Sequence, residues 1–287
     1  MTELRPSVCP LDCPDTCSLA VEVEGDRVVK VRGSRANPIT RGAVCSKVAQ
    51  LYPDFVHGPN RLRHPLRRTG AKGEGRFERI SWDSALDLVH ERTSAVIARR
   101  GPQAVLPLNY AGPHGMLAGD SMSLRFFHRM GASLLYRGAI CGGIRSLAYS
   151  STFGAVPGVP LQQVSLAKLI IVWGNNATAC NLHLVRHVNE ALRAGARLVV
   201  IDPRRVRIAE QAQMFLPVRP GSDVALAYAL AAELERLGAI DRTFVDAHVL
   251  GYDEFMAEAR AWTPERAAAT CGLEAAQVRE LARWYQE

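Results

Sequence analysis

Apolar and polar residues alternate along a short segment near the N-terminus, and this pattern predicts a β-hairpin. Leu19, Val21 and Val23 are separated by single residues of other types, which is the two-residue period of a strand that buries one face. A Gly-Asp turn then leads into a second apolar strand at 28–31, as in a hairpin. We therefore expect a small antiparallel sheet in this part of the chain.

Further along, the apolar residues follow the pattern of alternating helices and strands. Ser81 stands directly before an amphipathic segment at 82–98, and we expect its hydroxyl to cap that helix. A short apolar stretch at 105–108 is expected to form a strand, and a further helix is expected at about 116–130. This alternation predicts an α/β layer.

The clearest alternation lies at 169–202 and predicts a βαβ unit. A buried strand at 169–172 runs into a Gly-Asn loop and a helix, and a second strand at 198–201 ends at Asp202. Nucleotide-binding folds place a carboxylate at this point to bind a sugar hydroxyl. The unit lacks the three-glycine fingerprint of an ordinary NAD site, so a structural βαβ unit without a ligand stays an open alternative. From residue 225 onward the pattern is helical.

The composition excludes some classes of protein. The chain has 287 residues, 48% of them apolar, which is enough for more than one domain. No apolar run is long enough to span a bilayer, and the N-terminal residues lack a hydrophobic signal core. We therefore expect a cytoplasmic protein without direct membrane insertion.

The net charge of +7 does not by itself indicate a nucleic-acid partner. All but four of the 35 basic residues are arginine, and no basic stretch is interleaved with aromatic residues. We expect no nucleic-acid partner. An anionic cofactor would account equally well for the positive charge.

Four of the seven cysteines are concentrated in the first 45 residues. Cys9, Cys13 and Cys17 lie in the segment CPLDCPDTC, and Cys45 follows the predicted hairpin. Pro14 argues against a helix, so the segment is expected to form a tight loop, which a fourth thiolate joins from the returning chain. In a chain without a secretory signal, this distribution argues against a disulfide framework.

Three clustered cysteines and one distant cysteine fit an iron–sulfur cluster better than the alternatives. Structural zinc usually takes its thiolates as two separated pairs. The radical-SAM motif also clusters three cysteines, but it spaces them unequally and leaves the fourth iron site open. In this chain both gaps contain three residues, and Cys45 supplies a fourth thiol. A zinc-stabilised nucleotide-binding module stays an open alternative.

The segments CPLDCPDTC, RGAVCSK and GRFERISWDSALDLV, together with the hairpin, resemble the N-terminus of the molybdopterin oxidoreductases. These enzymes form the dimethyl sulfoxide reductase superfamily, and the similarity extends along essentially the whole chain. It implies an α/β fold, with a small antiparallel β cluster-binding domain followed by Rossmann-like α/β domains of the formate dehydrogenase/DMSO reductase type, C-terminally incomplete. It also implies two cofactors, a 4Fe–4S cluster and a bis-molybdopterin guanine dinucleotide with molybdenum or tungsten.

The resemblance assigns roles to residues around the clustered cysteines. Cys9, Cys13, Cys17 and Cys45 would hold the 4Fe–4S cluster. Lys47 would lie between the cluster and the pterin, as a catalytic and cofactor-binding residue.

Cys141, in RGAICGGIRS, stands at the position of the family's metal ligand. The resemblance therefore implies that its thiolate binds molybdenum or tungsten, and a soft thiolate suits such a metal. Gly142 and Gly143 would let the backbone approach a bulky cofactor. Arg145 would lie on the same helical face and could orient an anionic substrate. The family's formate enzymes usually have histidine directly after the metal ligand, where this chain has Gly142.

Three segments, at 173–176, 202–204 and 220–223, resemble those that bind the guanine dinucleotide in this family. In the third of these segments, Asp223 would accept hydrogen bonds from a guanine edge. Ala177, Asn181 and Gln213 stand where the family usually has a proline, a histidine and an acidic residue. The matching residues are Trp173, Gly174, Asn175, Asn176, Asp202, Pro203, Arg204, Pro220, Gly221, Ser222 and Asp223.

We therefore predict the N-terminal part of the catalytic subunit of a molybdenum or tungsten oxidoreductase. It would pass electrons between a small-molecule redox substrate and the cluster, with an iron–sulfur or other electron-transfer protein as partner. The predicted domains are a cluster domain at 1–57, an incomplete α/β domain at 58–140 and a Rossmann-like domain for the guanine dinucleotide at 141–287. We expect these residues alone to be inactive. The alternatives are a cluster-bearing electron-transfer or scaffold subunit without the metal–pterin, and a radical-SAM or zinc-stabilised nucleotide-binding protein.

Overall fold

The computed structural model describes residues 2–11, 13–108, 122–135 and 142–287. The chain divides into two compact units, the first ending at Gly158 and the second beginning at Val159. Each unit has its own sheet and its own hydrophobic core. The mixed α/β class with a small N-terminal antiparallel sheet is as predicted. The division into three domains stays a prediction.

An antiparallel sheet of three strands, in the order β1-β2-β3, lies at the start of the first unit. The strands are β1 (Glu3–Val8), β2 (Ser18–Glu24) and β3 (Arg27–Gly33). Leu19 and Val31 of the predicted hairpin are each 4% exposed and belong to the small core beneath it. The alternating pattern therefore identified the buried face correctly.

Strand β1 was not predicted, because its sequence ELRPSV does not alternate and all six of its residues are exposed. It lies at the edge of the sheet, beside β2. Pro6 is tolerated there, since one side of an edge strand has no neighbouring strand to bond. What makes this segment a strand is its partner and not its own periodicity.

Helix α1 (Ser46–His57) packs on β3 and completes the small core. Val48 on its inner face is 1% exposed and packs in the same cluster as Cys17. At its other end, the imidazole Nε2 of His57 accepts a hydrogen bond of 2.9 Å from the Val28 backbone N–H. The helix is therefore fixed to the hairpin at both ends.

The chain between β3 and α1 is held against the sheet by a close contact between two glycines. A Cβ on Gly33 would lie 2.4 Å from the carbonyl oxygen of Gly42, so only glycine lets the two backbones approach this closely. The side-chain oxygen of Asn37 accepts hydrogen bonds from the Ile39 and Thr40 amides, at 2.9 and 3.1 Å. This turn directs the returning segment toward the start of α1.

The remaining described part of the first unit is a small hairpin and three helices. Ser81 caps α2 as predicted, because its hydroxyl oxygen accepts a 3.1 Å hydrogen bond from the Ser84 amide. The elements are β4 (Leu66–Arg68), β5 (Phe77–Arg79), α2 (Trp82–Arg100), α3 (Met122–Met130) and α4 (Gly142–Phe153).

The expected strand at 105–108 is wrong, since these residues form no strand in the described structure. The Val105 amide instead closes a 3-10 turn by donating to the Pro102 carbonyl oxygen at 3.0 Å. Pro107 has no N–H to give to a sheet. Of the helix expected at 116–130, the structure describes the part from Met122 onward as helical.

Helix α2 presents an apolar stripe to solvent. Trp82, Leu86 and Val89 lie at helical spacing on one side and are 67%, 64% and 62% exposed, and no residue of α2 is buried in the described structure. Its caps and backbone hydrogen bonds therefore do more to define this helix here than burial does.

The second unit is built on a parallel sheet of three strands in the order β6-β7-β8. The strands are β6 (Leu169–Trp173), β7 (Arg197–Ile201) and β8 (Met214–Leu216). In register, Trp173 pairs with Ile201 and Ile201 with Leu216, so the strands end at one edge of the sheet. Helices α5 (Ala177–Cys180) and α6 (Leu182–Arg193) connect β6 to β7, which confirms the predicted βαβ unit.

Helices cover both faces of this sheet. Alternate residues of β6 point to opposite layers: Ile170 and Val172 pack in the cluster beneath α6, and Leu169, Ile171 and Trp173 pack against the other cluster. The C-terminal region is helical, as predicted. Its helices are α7 (Asp223–Arg236), α8 (Arg242–His248), α9 (Tyr252–Ala259), α10 (Pro264–Cys271) and α11 (Ala275–Gln286).

Replacing Gly33 by Ala should loosen the N-terminal sheet, because the new methyl group would overlap the Gly42 carbonyl. Overpacking of this kind costs about 1 to 3 kcal/mol. Hydrogen exchange of the β2 and β3 amides should become faster. Gly158→Ala is the control, since a Cβ there meets no atom within 4 Å. Equal exchange in the two variants would contradict the role of the Gly33 contact.

The second unit should lose stability in acid through Glu233, which is 3% exposed in α7. Two hydrogen bonds from Arg236, at 2.8 and 2.6 Å, lower the pKa of Glu233 against the opposing effect of burial. A carboxyl with a lowered folded-state pKa adds stability above its unfolded pKa of about 4.3 and loses it as the pH falls through the folded value. Glu233→Gln should therefore lower the Tm at pH 7 and have a smaller effect in acid. The exposed Glu280→Gln is the control, and a Tm difference independent of pH would refute the assignment.

Candidate cofactor sites

Antiparallel pairing of β1 and β2 brings the ends of the CPLDCPDTC loop together. Cys9 directly follows β1 and Cys17 directly precedes β2, and the Cys9 amide donates a 2.8 Å hydrogen bond to the Cys17 carbonyl oxygen. Thr16 has a positive φ of 43°, which is uncommon for a residue other than glycine and marks a tight turn just before Cys17. The sheet thus sets the spacing of the first and third cysteines.

Cys45 reaches the same loop from the start of α1. It is the N-cap residue, and its carbonyl oxygen accepts hydrogen bonds from the Val48 and Ala49 amides at 3.2 and 3.0 Å. Its thiol forms no capping bond to an amide of the described helix. A thiolate at a helix N-terminus is stabilised by the helix dipole. The backbone therefore positions Cys45 and leaves its sulfur to a ligand.

The four thiols form one group, called the cysteine pocket below: Cys9, Cys17 and Cys45 pack in the same small core, and Cys13 interacts electrostatically with Cys17 and Cys45. Burial, and then repulsion from Asp15 and from Cys9, Cys13 and Cys45, raises the pKa of the buried Cys17 thiol to about 11. Four thiolates here would repel one another unless positive charge were added between them, which the iron of a cluster supplies. The donor set therefore fits a 4Fe–4S cluster.

The described cysteines are not arranged to bind a single metal ion. Among the described residues, no group of three or more His, Cys, Asp or Glu side chains is arranged to hold one metal ion. In a 4Fe–4S cluster each thiolate binds a different iron, so cluster ligands surround a larger body and do not converge on one point. The cysteine arrangement is compatible with that requirement.

Two further residues lie at the cysteine pocket. Burial is the main reason that the pKa of Cys13 is raised. Lys47, in the first turn of α1, opposes that effect, because its positive charge favours the Cys13 thiolate. Tyr52 also faces the pocket: burial first, and then the negative charge of Cys9 and Cys45, raises its pKa. The sequence reasoning missed Tyr52, although its position seven residues after Cys45 puts it two turns along α1 from that cysteine.

The predicted nucleotide residues of the second unit lie at the edge where the parallel strands end. Gly174 follows Trp173 with φ at +63°, and its amide donates to the Ile201 carbonyl oxygen at 2.8 Å. The loop that carries Asn175 and Asn176 then starts α5. The left-handed backbone at Gly174 turns the chain sharply at the end of β6, where L side chains are disfavoured.

Asp202 and Arg204 continue this edge after β7. One carboxylate oxygen of Asp202, Oδ1, accepts a 2.8 Å hydrogen bond from the Arg204 amide, which fixes the side chain in a tight turn. Asp202 is half-buried and Arg204 is exposed, so solvent or a ligand can reach the Arg204 guanidinium.

The third segment forms the turn into α7. Gly221 has φ at +85°, and the Ser222 hydroxyl donates a 2.6 Å hydrogen bond to the Arg219 carbonyl oxygen. Asp223 is the first residue of α7, and its Oδ1 accepts a 2.6 Å hydrogen bond from the Trp173 indole Nε1. The predicted first and third segments are thus directly joined, and the Ser222 hydroxyl supports the turn.

The predicted metal ligand Cys141 lies outside the described residues. Gly142 begins α4, and Arg145 is exposed in its first turn. The cysteine pocket and α4 belong to the first unit. The sheet edge that carries the predicted nucleotide residues after β6, β7 and β8, called the nucleotide edge below, belongs to the second unit. Cys180 is exposed next to the Asn175 loop, whereas Cys271 is fully buried in the core of the second unit.

Family comparison assigns the class of protein. Residues 2–56 match the molybdopterin oxidoreductase Fe4S4 domain, and residues 61–243 match the molybdopterin oxidoreductase model. The chain belongs to the molybdopterin oxidoreductase family, a family of enzymes whose cofactors are molybdopterin and a 4Fe–4S cluster.

Individual relatives agree with this assignment. The chain is 36% identical over 281 residues to the probable oxidoreductase YoaE of Bacillus subtilis, which covers 98% of this chain and 41% of the relative. It is 31% identical to the probable dimethyl sulfoxide reductase chain YnfF of Escherichia coli, with 96% and 38% covered. The solved structure of acetylene hydratase from Pelobacter acetylenicus aligns with a TM-score of 0.74 at 26% identity, covering 97% of this chain and 38% of that one. The chain thus spans about two fifths of the length of these relatives.

None of the helices in the described part of the chain combines the length and the apolar character needed to cross a bilayer.

Proposed function

We propose that this chain is part of a molybdenum or tungsten oxidoreductase that passes electrons between a small-molecule substrate and a 4Fe–4S cluster. The observation that carries this proposal is the packing of Cys9, Cys17 and Cys45 in one cluster beside the Cys13 loop, in a chain of this family. When bound, a metal–pterin cofactor supplies two-electron redox chemistry to the substrate. The residues of this chain hold, orient and shield the cofactors.

The cysteine pocket would hold the cluster, and Lys47 would act beside it. Burial raises the pKa of Cys13 and the positive charge of Lys47 opposes that effect, so Lys47 would reduce the repulsion among the ligands. The same positive charge would favour an anionic pterin on this side of α1. Tyr52 would limit the access of water to the sulfurs from the helix.

The nucleotide edge of the second unit would hold one guanine dinucleotide. Asp202 would accept a hydrogen bond from a sugar hydroxyl, and Arg204 would pair with a diphosphate oxygen. Asp223 would accept the two N–H groups of a guanine edge. The Gly174 and Gly221 turns support this proposal because they let the backbone approach a bulky ligand.

Cys141 would bind the metal through its thiolate, as the family resemblance implies. Gly142, at the start of α4, presents no side chain, and a Cβ there would meet no atom within 4 Å. Arg145 would orient an anionic substrate from the first turn of the same helix. The partner would be an iron–sulfur or other electron-transfer protein, in the cytoplasm.

A hydratase is the second candidate, because one aligned structure is named acetylene hydratase. Addition of water to a substrate changes no oxidation state, so it would leave the cluster in the state it had before. Mixing the reduced protein with candidate substrates, and following the paramagnetic signal of the cluster, separates the two functions. Loss of the signal on turnover supports electron transfer, whereas product formation with an unchanged signal supports hydration.

The first prediction of this proposal concerns the cluster. Anaerobic reconstitution should give about four iron and four sulfide per chain, with a reducible paramagnetic signal. Cys45→Ala should lose the cluster or convert it to a form with less iron, because one iron loses its ligand. Cys180→Ala, which changes an exposed cysteine elsewhere, should keep the wild-type iron content. Stable zinc without sulfide in the wild type would exclude the proposal and favour a zinc-stabilised module.

The second prediction concerns Cys141 and is tested in protein purified anaerobically with its metal–pterin. Cys141→Ala should abolish turnover while the iron–sulfur signal stays unchanged. X-ray absorption at the molybdenum or tungsten edge should show one sulfur neighbour fewer. A wild-type sulfur count together with wild-type activity would remove Cys141 from the mechanism. If the wild type contains the cluster but neither metal nor guanine nucleotide, the chain is instead part of a cluster-bearing scaffold subunit.

A further inference from the structure

We infer that Trp173 is a positioning residue that sets the guanine selectivity of the nucleotide edge by holding the Asp223 carboxylate in place. The inference rests on the proposed guanine dinucleotide site, in which Asp223 reads the base. Its physical basis is the 2.6 Å hydrogen bond from the Trp173 indole Nε1 to Asp223 Oδ1. The bond joins residues 50 positions apart in sequence.

The sheet places Trp173 where it can do this. It is the last residue of β6, and its ring packs with Leu169 and Ile171 on the side of the sheet that carries α7. Leu226 and Ala229 of α7 pack in the same cluster. The first residue of α7 therefore lies within reach of the indole.

An indole N–H can only donate, so it selects the carboxylate as an acceptor and fixes one of its oxygens. A carboxylate has about four acceptor sites on its two oxygens. One site is occupied by Trp173, which leaves Oδ2 and the second lone pair of Oδ1. Two adjacent acceptors in one plane match the N1–H and 2-amino donors of guanine, whereas adenine offers no such pair of donors on its corresponding edge.

The surroundings of Asp223 leave its remaining hydrogen-bond acceptor sites accessible to a ligand. Within the described ranges, the indole is the one hydrogen-bond donor to this carboxylate, and no cation pairs with it. The nearby Arg219 is engaged elsewhere, since its Nη1 donates to the Ala269 carbonyl oxygen at 3.1 Å. A half-buried carboxylate with unfilled acceptor sites gains stability when ligand N–H groups fill them.

Packing alone does not explain why residue 173 is tryptophan. Its ring lies against an apolar cluster that also contacts Trp262 and Trp284, and a phenylalanine ring could fill much of the same space. Phenylalanine lacks the indole N–H that donates a hydrogen bond to Asp223. The test therefore removes that group while keeping an aromatic ring.

The experiment measures binding of guanosine, inosine and adenosine diphosphates by calorimetry to the 287-residue chain and its variants. Inosine lacks the 2-amino group, so the ratio of guanosine to inosine affinity reports on the contact with Asp223. Trp173→Phe should weaken guanosine diphosphate binding by about tenfold, the scale of one charge-assisted hydrogen bond, and should bring the ratio close to one. Trp284→Phe, the same change beside the same core, should leave the ratio unchanged.

The outcomes separate this inference from the proposed function. No preference for guanosine diphosphate in the wild type, or a preference that survives in Asp223→Asn, refutes the guanine site itself. A wild-type preference that is lost in Asp223→Asn but kept in Trp173→Phe refutes the role of Trp173 alone. Equal weakening for all three nucleotides in Trp173→Phe, with a lower Tm, also overturns it, because that is the result of a purely structural bond.

If Trp173→Phe does not fold, a benzothiophene analogue of tryptophan at position 173 keeps the shape of the indole and replaces its N–H by sulfur. The same loss of the guanosine to inosine ratio is expected from that substitution. A full wild-type ratio in the folded analogue would overturn the inference.

Discussion

The common end point of three parallel strands is the constraint on which the nucleotide edge depends. Because Trp173, Ile201 and Leu216 are in register, the loops after β6, β7 and β8 emerge at one edge of the sheet. A slip of one residue in β6 would turn Trp173 to the opposite layer and take its indole away from Asp223. Backbone pairing thus determines which side chains can act together, before any of them meets a ligand.

In the cysteine pocket, a well-defined backbone holds together side chains that repel one another. Its backbone is well determined by the β1–β2 pairing, by the helix start at Cys45 and by the Gly33–Gly42 contact. Its side chains, however, are groups that repel one another once ionised: burial is the main reason that the pKa of Cys17 is raised, and the negative charges of Asp15 and of the other three cysteines raise it further. The fold therefore supplies the geometry, and in the proposed cluster site the positive charge of the iron would supply the energy that makes four thiolates compatible. Lys47 contributes in the same direction from α1.

Local patterns predicted the parts of this structure that local interactions determine. The hairpin, the Ser81 cap and the βαβ unit follow from alternation, capping chemistry and turn residues within short windows. β1 was not predicted because it depends on pairing with β2. β8 was not predicted either, because a strand of only three residues is too short to show an alternating pattern. The strand expected at 105–108 did not form: in the described part of the chain no strand pairs with this segment, and Pro107 has no N–H to donate to one. The bond between Trp173 and Asp223 needs the register of the whole sheet, so no sequence window contains it.

The order of the chain has a consequence for synthesis. The core beneath the hairpin lies between Cys9 and Tyr52, and His57 closes the contact of α1 with β3. Short-range contacts of this kind form quickly. At about 5–20 residues per second, a ribosome needs roughly ten seconds or more to add the residues that follow. The segment that carries Cys9, Cys13, Cys17 and Cys45 is therefore free to fold while the second unit is still being translated, and the proposed cluster site would form before the proposed nucleotide site.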